Sequence, residues 1–135
     1  MTHLNSTSHR LGGSIPRDIG EISQLKVLSF ADNLLGGSIP HTLGDLMLLR
    51  DLDLSRNELK GTIPYELSKL DSLIFLNLGK LMRHCICLSM REKYSLNNDT
   101  LASNELKGDI PHEFSNLNLV RLDVSSNKLG GPIVT

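Results

Sequence analysis

Aromatic residues are scarce in this chain of 135 residues, which has no tryptophan, two tyrosines and three phenylalanines. A core of ordinary size therefore has few large rings to pack, and 27 leucines must supply most of its apolar volume. Such a bias toward one side chain suggests that leucine occupies fixed positions of a repeated unit. The length fits one domain and requires no second one.

An excess of charge of either sign is also missing, because 14 basic and 15 acidic residues leave a formal net charge of -1. No field of one sign is available to attract nucleic acid or an anionic membrane surface. No apolar run approaches the 18 or so residues that would span a bilayer. The N-terminus also lacks the basic and apolar stretches of a secretory signal. We expect no nucleic-acid partner and no direct membrane insertion by this chain.

Cysteine is limited to Cys85 and Cys87, which are too close in sequence for an unstrained bridge. Together with His84 they form the one cluster with metal-ligand chemistry, but structural zinc sites use pairs that are further apart. Phosphate-binding loops, kinase catalytic loops and GxSxG motifs are absent from the sequence. We therefore expect no metal, no cofactor, no catalytic residue and no enzymatic activity.

A repeat organises the chain. The Ile-Pro pair recurs at Ile15, Ile39, Ile63 and Ile110, and the first three copies lie 24 residues apart. The second and third copies read LKVLSFADNLLGGSIPHTLGDL and LRDLDLSRNELKGTIPYELSKL. Apolar residues alternate in the LxL segment and then recur every third position, which fits neither one strand nor one helix. The pattern instead fits a coil that turns once per repeat.

The LxL segments predict short parallel strands in which alternate residues face opposite sides. Leu52 and Leu54 should point into the core, and Asp53 should face solvent. The predicted strands are Val27–Ala31, Asp51–Ser55, Phe75–Leu78 and Arg121–Ser125.

An asparagine follows each LxL segment where the backbone must turn inward. Its amide can satisfy backbone groups that the turn leaves unpaired, so these residues should form a structural column through the stack. His9 takes the equivalent place in the first, partial copy. The column consists of Asn33, Asn57, Asn104 and Asn127.

The motif LxxLxLxxNxLxGxIPxxLxxL, carried by both repeats quoted above, resembles the plant-specific class of leucine-rich repeats. The resemblance implies an α/β right-handed solenoid with a short-strand parallel sheet on the concave face and irregular or 3₁₀ segments on the convex face. This class is typical of the ectodomains of receptor-like kinases, receptor-like proteins and polygalacturonase-inhibiting proteins. The cysteine-bearing terminal cap of those ectodomains is not found here, so the chain is identified as an uncapped fragment.

The resemblance implies recognition of a protein or peptide ligand on the extracellular side of the plasma membrane, with a co-receptor or a cell-wall enzyme as further partners. A polygalacturonase inhibitor and a truncated product without independent function are the alternatives. The outward residues of the strands and their flanks are the candidate ligand contacts. They are His3, Asn5, Lys26, Val27, Ser29, Arg50, Asp51, Asp53, Arg56, Phe75, Asn77, Arg121 and Asp123.

One segment interrupts the repeat. Pro64 and Pro111 lie 47 residues apart, which is one repeat of 24 plus 23. Joining Leu78 to Ala102 restores a regular repeat, so residues 79–101 behave as an insertion, for which a retained in-frame intron is the preferred hypothesis. The alternative is a degenerate coil that would place Asp99 at an inward position. On either reading, residues 1–135 form a single solenoid of about five repeats.

Two N-glycosylation triplets occur, Asn5-Ser6-Thr7 and Asn98-Asp99-Thr100. They have meaning only in a secreted chain.

Overall fold

A computed structural model of the chain describes residues 1–79 and 104–131. These two ranges contain ten short strands and four 3₁₀ helices. The strands are His3–Asn5 (β1), Gly12–Ser14 (β2), Val27–Ser29 (β3), Leu34–Gly36 (β4), Asp51–Asp53 (β5), Lys60–Gly61 (β6), Phe75–Asn77 (β7), Glu105–Gly108 (β8), Arg121–Asp123 (β9) and Lys128–Leu129 (β10). The 3₁₀ helices are Arg17–Glu21, His41–Asp45, Tyr65–Lys69 and His112–Asn116.

The principal sheet is parallel and has the order β1-β3-β5-β7-β9. Its register advances by one repeat from strand to strand, so that Leu4, Leu28, Leu52, Leu76 and Leu122 are successive partners. The sequence predicted four of these strands and their parallel pairing, and the structure confirms both. Each strand is followed by a 3₁₀ segment before the next one begins, as a coil that turns once per repeat requires.

The strands are shorter than predicted, because each ends at its third residue. The next residue, such as Phe30 or Leu54, is buried in the core. Its N–H donates to the carbonyl oxygen of the last strand residue in the following coil, which is Asp53 for Phe30 and Asn77 for Leu54. In the second coil the backbone then enters the left-handed region at Asp32, with φ of 58°. This inward turn ends the extended conformation before Ala31 and Ser55.

Leucine forms most of the core, as its abundance indicates. Fourteen leucine side chains of the described ranges are at most 1% exposed, and they include Leu52, Leu54, Leu67 and Leu76. Fully burying such a side chain stabilises a fold by roughly 1.5–3 kcal/mol. Because neighbouring coils supply the walls around each one, a single repeat cannot achieve this burial alone.

Proline precedes each of the four 3₁₀ helices in the described ranges. Pro16, Pro40, Pro64 and Pro111 directly precede the four helices, with φ values of -69°, -66°, -63° and -54°. The ring fixes this φ, and the missing N–H is not needed at a helix start. The Ile-Pro pairs therefore mark where the convex segments start.

Glycine allows the convex helices to approach each other closely. A Cβ on Gly44 would lie 2.8 Å from the carbonyl carbon of Glu66, and one on Gly20 would lie 2.9 Å from the Thr42 Cβ. Both distances are too short for any side chain. The first three convex segments are consequently packed backbone to backbone.

The last coil is irregular, as its spacing predicts. Pro111 precedes Asn127 by 16 residues, where Pro40 precedes Asn57 by 17. The backbone adjusts to this shortening at Leu117, directly after the last 3₁₀ helix, where ψ is 141° and the chain is extended. Leu46, directly after the second 3₁₀ helix, has ψ of 65°. Leu117 and Leu119 are only half-buried as a result.

The end coils expose less of the core than their leucines suggest. Leu11 and Leu122 are each 39% exposed, but Ile15 is 4% exposed because it packs into the main core cluster. Ile15 is therefore part of the core although it lies in the first coil. Within the ranges that the structure describes, no helix is long and apolar enough to cross a membrane.

The coils on either side of the irregular segment are direct neighbours. β7 pairs with β9, and β6 pairs with β8. The amide of Asn104 donates to Leu54 O and Leu78 O, as the amide of Asn57 does to Phe30 O and Leu54 O. Most of residues 79–101, for which the sequence predicts an insertion, lie outside the described residues.

The concave sheet as candidate functional site

A column of asparagines, three of them buried and Asn127 half-buried, fixes the spacing of the coils beneath the concave sheet. Asn57 Nδ2 donates to Phe30 O, Leu54 O and Ser55 O, and its Oδ1 accepts from Leu35 N at 3.0 Å. Asn33, Asn104 and Asn127 make the corresponding bonds in their own coils. One side chain per coil thus satisfies backbone groups of two coils. His9, at the first position, is exposed.

Two columns of side chains run across the outer side of the sheet. The first position of each strand supplies one column and the third position supplies the other. The first column is His3, Val27, Asp51, Phe75 and Arg121. The second column is Asn5, Ser29, Asp53, Asn77 and Asp123.

A third column flanks the strands on their N-terminal side. Backbone bonds link Lys26 to Thr2, Arg50 to Lys26, Ile74 to Arg50 and Val120 to Ile74, at 2.8–2.9 Å. Lys26 and Arg50 are exposed, and neither forms an ion pair with a residue in the described ranges. Parallel strands lie about 4.8 Å apart, so one ligand carboxylate can reach both cations.

Arg121 and Phe75 form a cation–π pair on neighbouring strands. The guanidinium carbon of Arg121 lies 5.6 Å from the centre of the Phe75 ring. Such a pair holds the planar guanidinium over an apolar surface and leaves its other donors available. Both side chains are half-buried, so they provide a preorganised part of the face.

Asp53 is engaged within the protein, so the expectation that it simply faces solvent was wrong. Its Oδ1 accepts from Ser55 N at 3.0 Å and from Ser55 Oγ at 2.6 Å. Burial raises the pKa of the Asp53 carboxyl, while the bonds from Ser55 and Asn77 oppose that rise and the nearby Asp123 adds to it. Asp123 likewise accepts from Ser125 N, at 2.9 Å.

Asn77 is not available to a ligand, which corrects its assignment as a candidate contact. It is 0% exposed. Its Nδ2 donates to Asp53 Oδ2 at 3.4 Å, and its Oδ1 accepts from Gly79 N at 3.2 Å. The short amide bends back to the end of its own strand, because the chain there offers an unpaired N–H.

Arg56 belongs to a ladder that the sequence did not reveal. Its Nε lies 3.2 Å from Asp32 Oδ1, and Asp32 Oδ2 accepts from Ser8 Oγ at 2.8 Å. All three residues have positive φ values near 60° and occupy the same turn in successive coils. The 24-residue spacing of Ser8, Asp32 and Arg56 was the signal that could have identified this ladder.

The remaining candidates differ in accessibility. His3 and Asn5 are exposed on the edge strand, where Thr2 Oγ1 lies 2.9 Å from His3 Nδ1. Val27, Ser29 and Asp51 are half-buried. In the described ranges no group of three or more potential ligands could hold a metal ion. His84, Cys85 and Cys87 lie outside those ranges.

The repeat matches a known family. The family described as Leucine Rich Repeat matches residues 24–46 and 48–70. These two stretches are the consecutive coils quoted above, and the rest of the sheet continues their register. These two coils are leucine-rich repeats of this family, and the solenoid that they form is the predicted fold.

Solved structures of plant receptor ectodomains are similar to this chain over nearly its whole length. The Arabidopsis receptor kinase HAESA, in complex with the peptide hormone IDA and the co-receptor SERK1, is 30% identical with a TM-score of 0.78, over 98% of this chain and 18% of that one. The ectodomain of the Arabidopsis thaliana receptor kinase SOBIR1 is 30% identical with a TM-score of 0.77, over 98% of this chain and 60% of that one.

A third similar structure is the ectodomain of the Arabidopsis thaliana membrane receptor kinase GASSHO1/SCHENGEN3, in complex with CASPARIAN STRIP INTEGRITY FACTOR 2. It is 34% identical with a TM-score of 0.70, over 91% of this chain and 12% of that one. The chain therefore spans less than two thirds of each of these ectodomains. Its repeats are of the kind found in plant receptor kinases. A sequence comparison with curated proteins gives no significant match.

Proposed function

We propose that this chain is a recognition segment of an extracellular leucine-rich-repeat receptor and that its concave sheet binds a protein or peptide ligand. The observation that carries the proposal is the adjacency of Lys26 and Arg50, two exposed cations without an ion-pair partner among the described residues. A similar ectodomain was solved with a peptide hormone and a co-receptor, and such partners are the ones proposed here.

The chemistry of the face specifies the kind of ligand. A carboxylate would lie across Lys26 and Arg50, and an apolar side chain would pack beside Phe75, where Arg121 is already held over the ring. Ile74 and the 83% exposed Val120 extend the apolar part toward the last coil. The ligand proposed is therefore an extended peptide with an acidic group on the side of the early coils and an apolar residue near Phe75.

A peptide selection tests the proposal. Peptides selected from a displayed random library on the 135-residue chain should be enriched in acidic residues next to apolar ones. Arg50→Glu should weaken the binding of a selected peptide about tenfold or more, because it replaces an attraction with a repulsion. Lys69→Glu is the matched control, since Lys69 is an exposed cation on a convex helix.

The outcome separates the alternatives. Equal effects of Arg50→Glu and Lys69→Glu would place the ligand elsewhere and reject the concave face. Failure to select any peptide, together with slowed polygalacturonase activity in the presence of the chain, would favour an inhibitor instead of a receptor segment.

A further inference from the structure

An exposed apolar pair lies on the rim where the chain passes from the convex side to the concave sheet. Three linkers lead from a 3₁₀ helix into the following strand of the principal sheet and form this entry rim: residues 22–26, 46–50 and 70–74. In the middle linker, Met47 is 51% exposed and Leu48 is 40% exposed, whereas Leu46 and Leu49 on either side of them are fully buried. Two adjacent large apolar side chains therefore face solvent on the entry rim.

The entry rim is polar in both neighbouring coils. Ser23 and Gln24 take the places of the apolar pair one repeat earlier, and Asp71 and Ser72 take them one repeat later. The same backbone hydrogen bond, of 2.8–2.9 Å, closes the turn in all three linkers. The fold therefore does not require apolar side chains at these places. Described coils flank the pair on both sides, so its exposure does not come from an open end of the stack.

The apolar pair adjoins the two exposed cations of the concave face. Arg50 follows Leu48 by two residues, so their Cα atoms are at most ~7 Å apart. Leu49 between them is buried, and both Leu48 and Arg50 are exposed on the outer side of the linker. Arg50 N donates to Lys26 O at 2.8 Å, and the half-buried Ile74 donates to Arg50 O at 2.9 Å. Arg50 thus has apolar neighbours in its own linker and in the next one, and displacing water from it would strengthen its attraction to a carboxylate.

We propose that the ligand crosses the entry rim at Arg50, with a bulky apolar side chain against Met47 and Leu48 and an acidic side chain across Lys26 and Arg50. The inference rests on the proposed function, which it makes more specific by naming the sequence of the ligand. Side chains two residues apart on an extended peptide point to the same side and lie ~6–7 Å apart, which fits the spacing of Leu48 and Arg50.

The ligand class is therefore a peptide in which an acidic residue and a bulky apolar residue stand two positions apart. The flexible thioether of Met47 adapts its shape to an aliphatic or an aromatic partner. The chemistry of the entry rim accordingly selects for size and apolarity at that position of the peptide and not for one residue type.

Paired peptide selections test this sequence pattern. The two baits are the full chain and a Met47→Ser, Leu48→Gln double variant, which carries the polar residues found one repeat earlier. Peptides selected on the parent chain should have a bulky apolar residue two positions from an acidic one. Peptides selected on the double variant should keep the acidic residue and lose the apolar preference. The same apolar preference on both baits would overturn the inference.

The affinity of one peptide selected on the parent chain tests the contact itself. The double variant should bind this peptide about five- to tenfold more weakly, because apolar burial is lost. Replacing the apolar residue of the peptide by alanine should weaken binding to the parent similarly and have little further effect in the double variant, since both changes remove one contact. Independent, additive effects of the two changes would overturn the inference.

Leu34→Gln is the matched control for the rim variant. Leu34 is 45% exposed on β4, which belongs to a different sheet from the concave strands. This variant should bind the peptide with unchanged affinity, and the urea midpoint of the rim double variant should match that of the parent. Equal loss of affinity in the two variants would show that the entry rim is not the contact.

Arg50→Glu separates this inference from the proposed function. If Arg50→Glu weakens binding and the rim double variant does not, the ligand stays on the concave sheet and only the crossing of the entry rim is rejected. If neither variant weakens binding, or if no peptide can be selected on the full chain, both the proposed function and this inference are rejected.

Discussion

Asn57 connects neighbouring coils through a single amide, so its substitution should be costly. It is fully buried and bonds to the backbone of Phe30, Leu35 and Leu54. Asn57→Ala leaves these buried groups without partners, at about 1–3 kcal/mol for each one that finds no replacement. We expect the free energy of unfolding in urea to fall by at least ~2 kcal/mol. The exposed Asn118, changed to alanine, is the control and should stay within about 0.5 kcal/mol.

Asp53 should make the stability of the fold depend on pH, with a sign that follows from its raised pKa. Burial raises the pKa of its carboxyl above the ordinary 3.8, so the folded state holds the proton more tightly than the unfolded chain. This group therefore favours folding at low pH, and its contribution is lost as the pH rises from about 3.8 through the raised pKa. The stability of the parent protein relative to Asp53→Asn should fall over this window in urea titrations. A relative gain with rising pH would contradict the burial of this carboxylate.

At the scale of elements, the repeat spacing predicted the strands, their register and the convex turns. Leucine recurs at the buried positions, asparagine at the inward turn and proline before each described 3₁₀ helix, so the spacing of these residues predicts where the elements lie. The sequence did not predict where each strand ends, because the inward turn at residues such as Asp32 is set by hydrogen bonds from the next coil. The burial of Asn77 was missed for a different, local reason, since its Oδ1 pairs with the N–H of Gly79, two residues along the chain, and not with solvent.

Close packing of the convex helices predicts a specific cost for one methyl group. Gly44→Ala would place a Cβ against the backbone of Glu66, which no rotamer change can relieve. We expect a loss of about 1–3 kcal/mol in the free energy of unfolding. Gly36→Ala is the control, because the atoms nearest to its Cβ lie 4.0 Å away. Similar urea midpoints for the two variants would show that the convex helices are further apart than described.

Direct pairing of β7 with β9 predicts that the irregular segment can be removed. In a variant that joins Leu78 to Ala102, Asn104 follows Leu78 at the same distance along the chain at which Asn57 follows Leu54. Both asparagines donate to the carbonyl oxygen of that leucine. Its melting temperature should equal or exceed that of the full chain, because ordering entropy is removed and Gly79 is the one described residue that is lost. A lower melting temperature would favour the degenerate-coil alternative for residues 79–101.

At the scale of the whole molecule, the sequence could predict a solenoid and a concave face, but not which side chains of that face are free. Arg56 and Asn77 are outward candidates by position, and both are occupied by neighbours in adjacent coils. Those neighbours lie 24 residues away, so the pairings depend on coil stacking and not on local sequence. Lys26 and Arg50 were also selected as ligand contacts by their outward position, and both are exposed.

Hydrogen exchange of the chain with and without a selected peptide tests most directly whether the concave sheet is the binding surface. We predict slower exchange on binding in the strands β3, β5 and β7 and at their flanking residues Lys26, Arg50 and Ile74. The convex helices Arg17–Glu21, His41–Asp45 and Tyr65–Lys69 should be unchanged. Protection confined to the convex helices, with the concave strands unaffected, would contradict it.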